Sequence, residues 1–247
     1  MYSKFYEMIT LFRKELASFF SSLIGYLVVI VFLLATGLFL FVFDGNFNIL
    51  NSGYASIDGL FIIAPWIFLF LIPAITMRFF CEESKSGTIE LLLTMPLSDF
   101  AIVFGKFLAG IVLLFFSLLP TILYYVTVYA LGSPVGNVDT GAVIGAYIGL
   151  FLLGGMYLAI GTFLSSLTDN QIIAFILTAA ICFIFYIGFE FVSELVPDVA
   201  FLTNVGISEH YNSISRGVID TRDIVYYLGF IGFFLYCTTL SIAKKRK

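Results

Sequence analysis

The chain has 247 residues, 61% hydrophobic and 11% charged, against roughly 45–50% apolar and about 25% charged in an ordinary soluble domain. With 30 Phe, 14 Tyr and a mean hydropathy of +1.08, lipid must be the solvent for much of it, which excludes a soluble globular protein, a disordered chain and a fibrous repeat. A formal charge of −4 gives no basis for nucleic-acid binding, and Cys81, Cys182 and Cys237 lack the number and spacing of a disulfide scaffold or a zinc site.

Residues 1–22 read as a unit of their own, an amphipathic helix lying in the membrane interface. Phe5, Ile9, Phe12, Leu16 and Phe20 recur at helical spacing, with Lys4, Glu7, Lys14 and Ser18 opposite and only Leu11 breaking the pattern. The rest, residues 23–247, reads as one all-α transmembrane domain. Windows of about 20 residues, enough to cross roughly 30 Å of hydrocarbon, give six spans: 23–43, 59–77, 107–131, 142–165, 172–192 and 224–243. Pro65 and Pro73 in the second span should kink it without abolishing it, because neighbouring helices can satisfy the freed carbonyls. The third apolar stretch begins near Phe100 and overshoots a bilayer. The lipid boundary is therefore expected at Phe107, with Lys106 snorkelling to the headgroups. Residues 166–171 form a tight turn between the fourth and fifth spans.

Six spans put both termini on one side. Ten of the twelve basic residues fall on that side with seven acids, and Arg216 and Arg222 fall opposite with nine acids, giving +3 and −7. Basic loops stay in the cytoplasm, so both termini are expected there.

Between the second and third spans lies Cys81-Glu82-Glu83-Ser84-Lys85-Ser86-Gly87-Thr88-Ile89-Glu90-Leu91-Leu92-Leu93-Thr94-Met95-Pro96. Ser86, Gly87 and Thr88 are helix-start residues and Pro96 disfavours helix at Met95, so the pattern predicts a helix of about eight residues. It is too short to span anything. Its apolar Ile89, Leu92 and Leu93, with acids before and within it, suit either docking on a partner or a plain interfacial turn.

On the opposite side, residues 193–223 are more than a minimal loop. Pro197, Phe201, Leu202, Val205 and Ile207 would anchor short re-entrant or interfacial helices there, read either as a gate or as plain packing against the top of the bundle. Glu190, one turn from the end of the fifth span, reads either as an interfacial carboxylate or as a functional group. His210 reads as a solvated loop residue. Gly141, Gly145 and Gly149 make a small-residue stripe that allows close helix packing, within the chain or between subunits.

No G-x-x-x-x-G-K-[S/T], H-E-x-x-H, G-x-S-x-G or C-x-x-C occurs. The chain is therefore expected to bind no cofactor or metal itself and to be no enzyme. The lack of charge in mid-membrane argues against ion-coupled transport.

The run from Glu83 to Pro96, followed by Gly105-Lys106, resembles the cytoplasmic signature of ABC-2 type transporter permeases, the membrane subunits of ATP-binding-cassette exporters. The resemblance extends in order over the whole chain. It implies a separate ATPase holding ATP and magnesium, a second permease chain as homodimer or heterodimer partner, and a bacterial inner-membrane location. It makes Glu83, Gly87, Thr88, Ile89, Glu90, Leu92, Leu93 and Pro96 a coupling helix that docks on the ATPase. Ser165, Asp169 and Asn170, in the turn after the fourth span, would be a second contact. Residues 213–223 look most like the gliding-motility permeases of Bacteroidetes. Permeases of copper-enzyme maturation or antibiotic and lipid export share much of the pattern, and a membrane scaffold that moves no cargo remains a further reading.

Overall fold

The computed structural model describes residues 2–51, 53–95, 97–195, 205–218 and 220–246, apart from the side chains of residues 2–7, 24 and 194. Pro96, the expected stop of the loop helix, lies outside the described residues, as do the expected anchors Pro197, Phe201 and Leu202. Every regular element among the described residues is helical.

Helix α1 (Tyr2–Ser21) precedes the first span, α2 (Leu23–Gly37), which a π-helical turn (Leu38–Val42) extends. The second span is α3 (Asp58–Thr76). Two short helices follow, α4 (Cys81–Lys85) and α5 (Ile89–Thr94). The third span is α6 (Asp99–Leu118), joined through a 3-10 turn (Leu119–Thr121) to α7 (Ile122–Leu131). The fourth is α8 (Thr140–Leu167). The fifth is α9 (Gln171–Phe183), continued by a π-helical turn (Ile184–Gly188) and α10 (Phe189–Leu195). After α11 (Ile207–Ser215), α12 (Thr221–Lys245) makes the sixth. Six of these helical stretches are long and apolar enough to cross a membrane.

Side-chain caps set several starts. Ser98 accepts from the Ala101 amide at 3.2 Å, Asp139 from Ala142 at 3.1 Å, Asn170 from Ile172 at 2.9 Å and Asp220 from Arg222 at 2.9 Å. Each satisfies an amide that has no partner within its helix, a contribution of about 1 kcal/mol.

Helix α8 is the centre of the bundle, packed against α3, α6, α9, α11 and α12. Its approach to α3 is closest where Gly161 faces Thr76, since a Cβ on Gly161 would overlap the threonine side chain. Helix α3 runs unbroken through both prolines. Pro65 cannot donate to the carbonyl four residues earlier, that of Phe61. The Tyr211 hydroxyl donates to that oxygen instead, at 2.6 Å, so α11 completes the hydrogen bonding of α3.

Two expectations about side chains are corrected at the other end. Helical structure begins at Asp99 and makes a 33-residue stretch to Leu131, in line with the apolar run that begins near Phe100. Lys106 does not snorkel. It is 1% exposed and sits inside the protein. The buried face of α1 is also displaced from the expected stripe: Leu11, Glu15 and Phe19 are buried, whereas Ile9, Phe12, Leu16 and Phe20 are only partly so. Helix α1 lies along α6, and turning Glu15 toward Lys106 fixes which face meets it.

Candidate functional site

The short helices α4 and α5 gather at the end of the bundle that carries both termini, the basic end. Their root is fixed by α8. The Phe80 amide donates to the Ser165 hydroxyl at 3.0 Å, and the Cys81 thiol donates to the carbonyls of Thr168 (2.9 Å) and Ser165 (3.4 Å). The two carbonyls are acceptors that the end of α8 leaves open.

Glu83 fixes the other flank of α4. Its carboxylate lies 2.9 Å from the Lys106 ammonium, which is also 3.1 Å from Glu15 and 5.3 Å from the centre of the Phe80 ring. Lys14 stands at 3.7 Å from Glu15 and 3.8 Å from Glu83. Three elements far apart in sequence, α1, α4 and α6, thus share one buried cation. A charge at 1% exposure is tolerated because two carboxylates and an aromatic face replace its water.

The turn from α4 to α5 is made by residues 86–88. Gly87 has φ +70°, a left-handed conformation that side chains resist. The Ser86 hydroxyl reaches back to the Glu82 carbonyl at 2.8 Å and lies 2.8 Å from the Thr88 hydroxyl. The sequence pattern predicts about eight helical residues, and α5 has six. Its faces also differ from expectation. Leu92 is buried in the chain's own core, Leu93 is half-buried against it, Ile89 is half-buried, and the open side consists of Glu90, Leu91 and Thr94, continued by Met95. Leu92 therefore braces α5 from within, and the apolar residue presented outward is Leu91, 66% exposed.

The three residues of the α8–α9 turn have separate tasks. Ser165 is fully buried and occupied with Phe80, so its side chain offers nothing to a partner. Asn170 caps α9. Asp169 is exposed and pairs with Lys245 at 3.6 Å. Arg246 reaches across to Asp99 at 2.9 Å and to the Leu97 carbonyl at 3.0 Å, tying the end of α12 to the start of α6.

The opposite, acidic end is built around α11. His210 is buried, not solvated: its Nδ1 lies 2.6 Å from an Asp223 carboxylate oxygen and its ring stacks on Tyr226 at 3.9 Å. Burial pushes the Tyr211 phenol well above its ordinary pKa. Glu190 is exposed and accepts from Ser208 at 3.1 Å. Of the glycine stripe, Gly149 faces Ile214 of α11 and Gly145 faces Gly217 just beyond it, while Gly141 is exposed. A cavity of about 530 Å³ opens beside α11, and an apolar groove of about 440 Å³ adjoins it along α2 and α3.

Sequence reasoning missed the buried triad and the His210–Asp223 pair. The signal for the triad was present: Leu11, Glu15 and Phe19 repeat at intervals of four, and one member is a carboxylate.

No curated protein matches the chain. The family described as ABC-2 family transporter protein matches residues 51–206, from before the second span to the link that enters α11. With six membrane-length helices and a match over more than half its length, the chain belongs to the ABC-2 transporter family and is a multi-pass membrane permease component of an ABC exporter.

Proposed function

We propose that this permease works with a separate ABC ATPase, which holds ATP and magnesium, and with a second permease chain in a bacterial inner membrane. The basic end faces the cytoplasm, a reading supported by ten basic residues on that side. The observation that carries the docking role is the contrast within α4 and α5. Their inner side is held by Ser165, Lys106 and the core around Leu92, and their outer side leaves Glu90, Leu91 and Met95 open.

A partner pressing on α5 would move α4 with it. That displacement reaches the fourth span through Phe80 and Cys81 and the third through Glu83 and Lys106. Hydrolysis by the ATPase is thereby converted into movement of the permease, which itself does no chemistry. The test is co-purification from membranes: Leu91→Asp should release the ATPase while the bundle stays folded. ATPase retained at the wild-type level would overturn the assignment.

Within the family, the resemblance of residues 213–223 and the chain length support a gliding-motility permease of Bacteroidetes. Neighbouring genes for an ABC ATPase and for a second permease with a large extracytoplasmic domain are expected. A neighbourhood devoted to copper-enzyme maturation would overturn this narrower reading.

A further inference from the structure

The cavity at the acidic end has a mixed polar and apolar lining, the adjoining groove an apolar one, and the two share Ile62 and Trp66 of α3. The cavity has charged groups at its rim: Asp58 at the start of α3, Asp139 before α8 and Arg216 after α11, all exposed. Its floor is aromatic. Trp66 and Tyr186 meet edge to face with centroids 5.8 Å apart, and the Tyr211–Phe61 hydrogen bond closes the base. The groove is lined by apolar side chains alone, among them Val31, Phe39, Phe70 and Leu71. Val31, Phe39 and Phe70 are substantially exposed on the outside of the first two spans.

A cavity of this size, with charged groups at its rim, lies in the usual range for small-ligand sites, and here it shares Ile62 and Trp66 with an exposed apolar groove. We infer that the two together form a binding site for one phospholipid with a primary-amine headgroup. The amine lies between the carboxylates of Asp58 and Asp139, the phosphate beside Arg216, and an acyl chain in the groove past Trp66. The charges select the headgroup. Two carboxylates and one guanidinium complement a zwitterion carrying an ammonium and a phosphodiester. They repel a headgroup with a phosphodiester and no cation, and a trimethylated amine offers the carboxylates no N–H. The site stands apart from the ATPase reading, because lipid occupancy requires neither ATP nor a docked partner.

Trp66 is the only tryptophan in the chain, so its fluorescence reports on the junction directly. The full-length protein, reconstituted in bilayers, is titrated with phosphatidylethanolamine, phosphatidylcholine or phosphatidylglycerol carrying brominated acyl chains. Brominated phosphatidylethanolamine should quench Trp66 about threefold more effectively than the other two at equal mole fraction, the scale expected of exposed ion pairs. The preference should fall toward unity in Asp139→Asn, which keeps a capping side chain at α8, and in Arg216→Gln, while quenching by the other lipids persists. Equal quenching by all three lipids, a preference unaffected by both variants, or no quenching at all, as a protein neighbour covering Trp66 would produce, overturns the inference.

Discussion

Lys106 stands in an apolar run with its ammonium between Glu83 and Glu15 at 2.9 and 3.1 Å. Removing one member of such a buried set is costlier than the set is worth, because the survivors keep their charge without compensation. Lys106→Met should therefore lower stability by about 3–5 kcal/mol, read as a fall in the thermal midpoint of the detergent-solubilised protein. Adding Glu15→Gln and Glu83→Gln should restore most of the loss. Tyr211 is the counterpart at the acidic end. Replacing it with Phe leaves the Phe61 carbonyl, already deprived by Pro65, without a donor, a cost of about 1–3 kcal/mol. Its pH dependence has a definite sign. The folded phenol has a raised pKa, so its stabilisation is complete below the unfolded value of about 10 and is lost as the pH climbs beyond it. The gap between wild type and Tyr211→Phe should narrow above about pH 10. Residues such as these were poorly legible in the sequence. A lysine near the end of an apolar run has two inexpensive solutions, snorkelling or pairing, and only the position of Glu15, distant in the chain, decides between them.

At the scale of elements, α4 and α5 divide a single loop into an anchored half and a presenting half. The turn at Gly87 and a short helix beyond it followed from local rules, since glycine at φ +70° and hydroxyl-bearing neighbours are short-range signals. Which side of α5 faces outward did not follow. Leu91, Leu92 and Leu93 are chemically alike, and six residues make too short a period for the pattern to choose among them. The core choosing Leu92 is a tertiary fact. Ser165→Ala gives the element-level test. It leaves the Phe80 amide, whose hydroxyl acceptor is gone, buried without its 3.0 Å bond, a penalty of about 1–3 kcal/mol. Faster hydrogen exchange across residues 79–95, with the spans still protected, is the expected outcome. Unchanged exchange there would mean that α4 is held by other contacts.

For the whole molecule, six spans and their order were legible from hydropathy alone, because bilayer thickness imposes a length on any helix that crosses it. The central place of α8 was not, since hydropathy does not distinguish a lipid-facing helix from a buried one. Glycine content does: Gly161 against Thr76 allows backbones to approach where lipid supplies no drive of its own. Gly161→Leu should therefore abolish the folded, monodisperse protein, whereas the same substitution at the open Gly229 of α12 should be tolerated. The proposed orientation is checked separately. A cysteine replacing exposed Lys85 should be labelled by an impermeant thiol reagent only after the cytoplasmic face is opened, and one replacing exposed Asp44 should be labelled in intact cells.

The ion pairs of the basic end also differ in when their partners are made. Glu15 and Glu83 both precede Lys106 in synthesis, Glu15 by 91 residues. Both counter-ions of this lysine are therefore synthesised before the third span that carries it. Arg246 follows Leu97 by 149 residues, so its clasp on the start of α6 closes only after all six spans have been made. The contacts that close this end of the protein thus become available in two stages of synthesis, those around Lys106 by the third span and that of Arg246 only after the sixth.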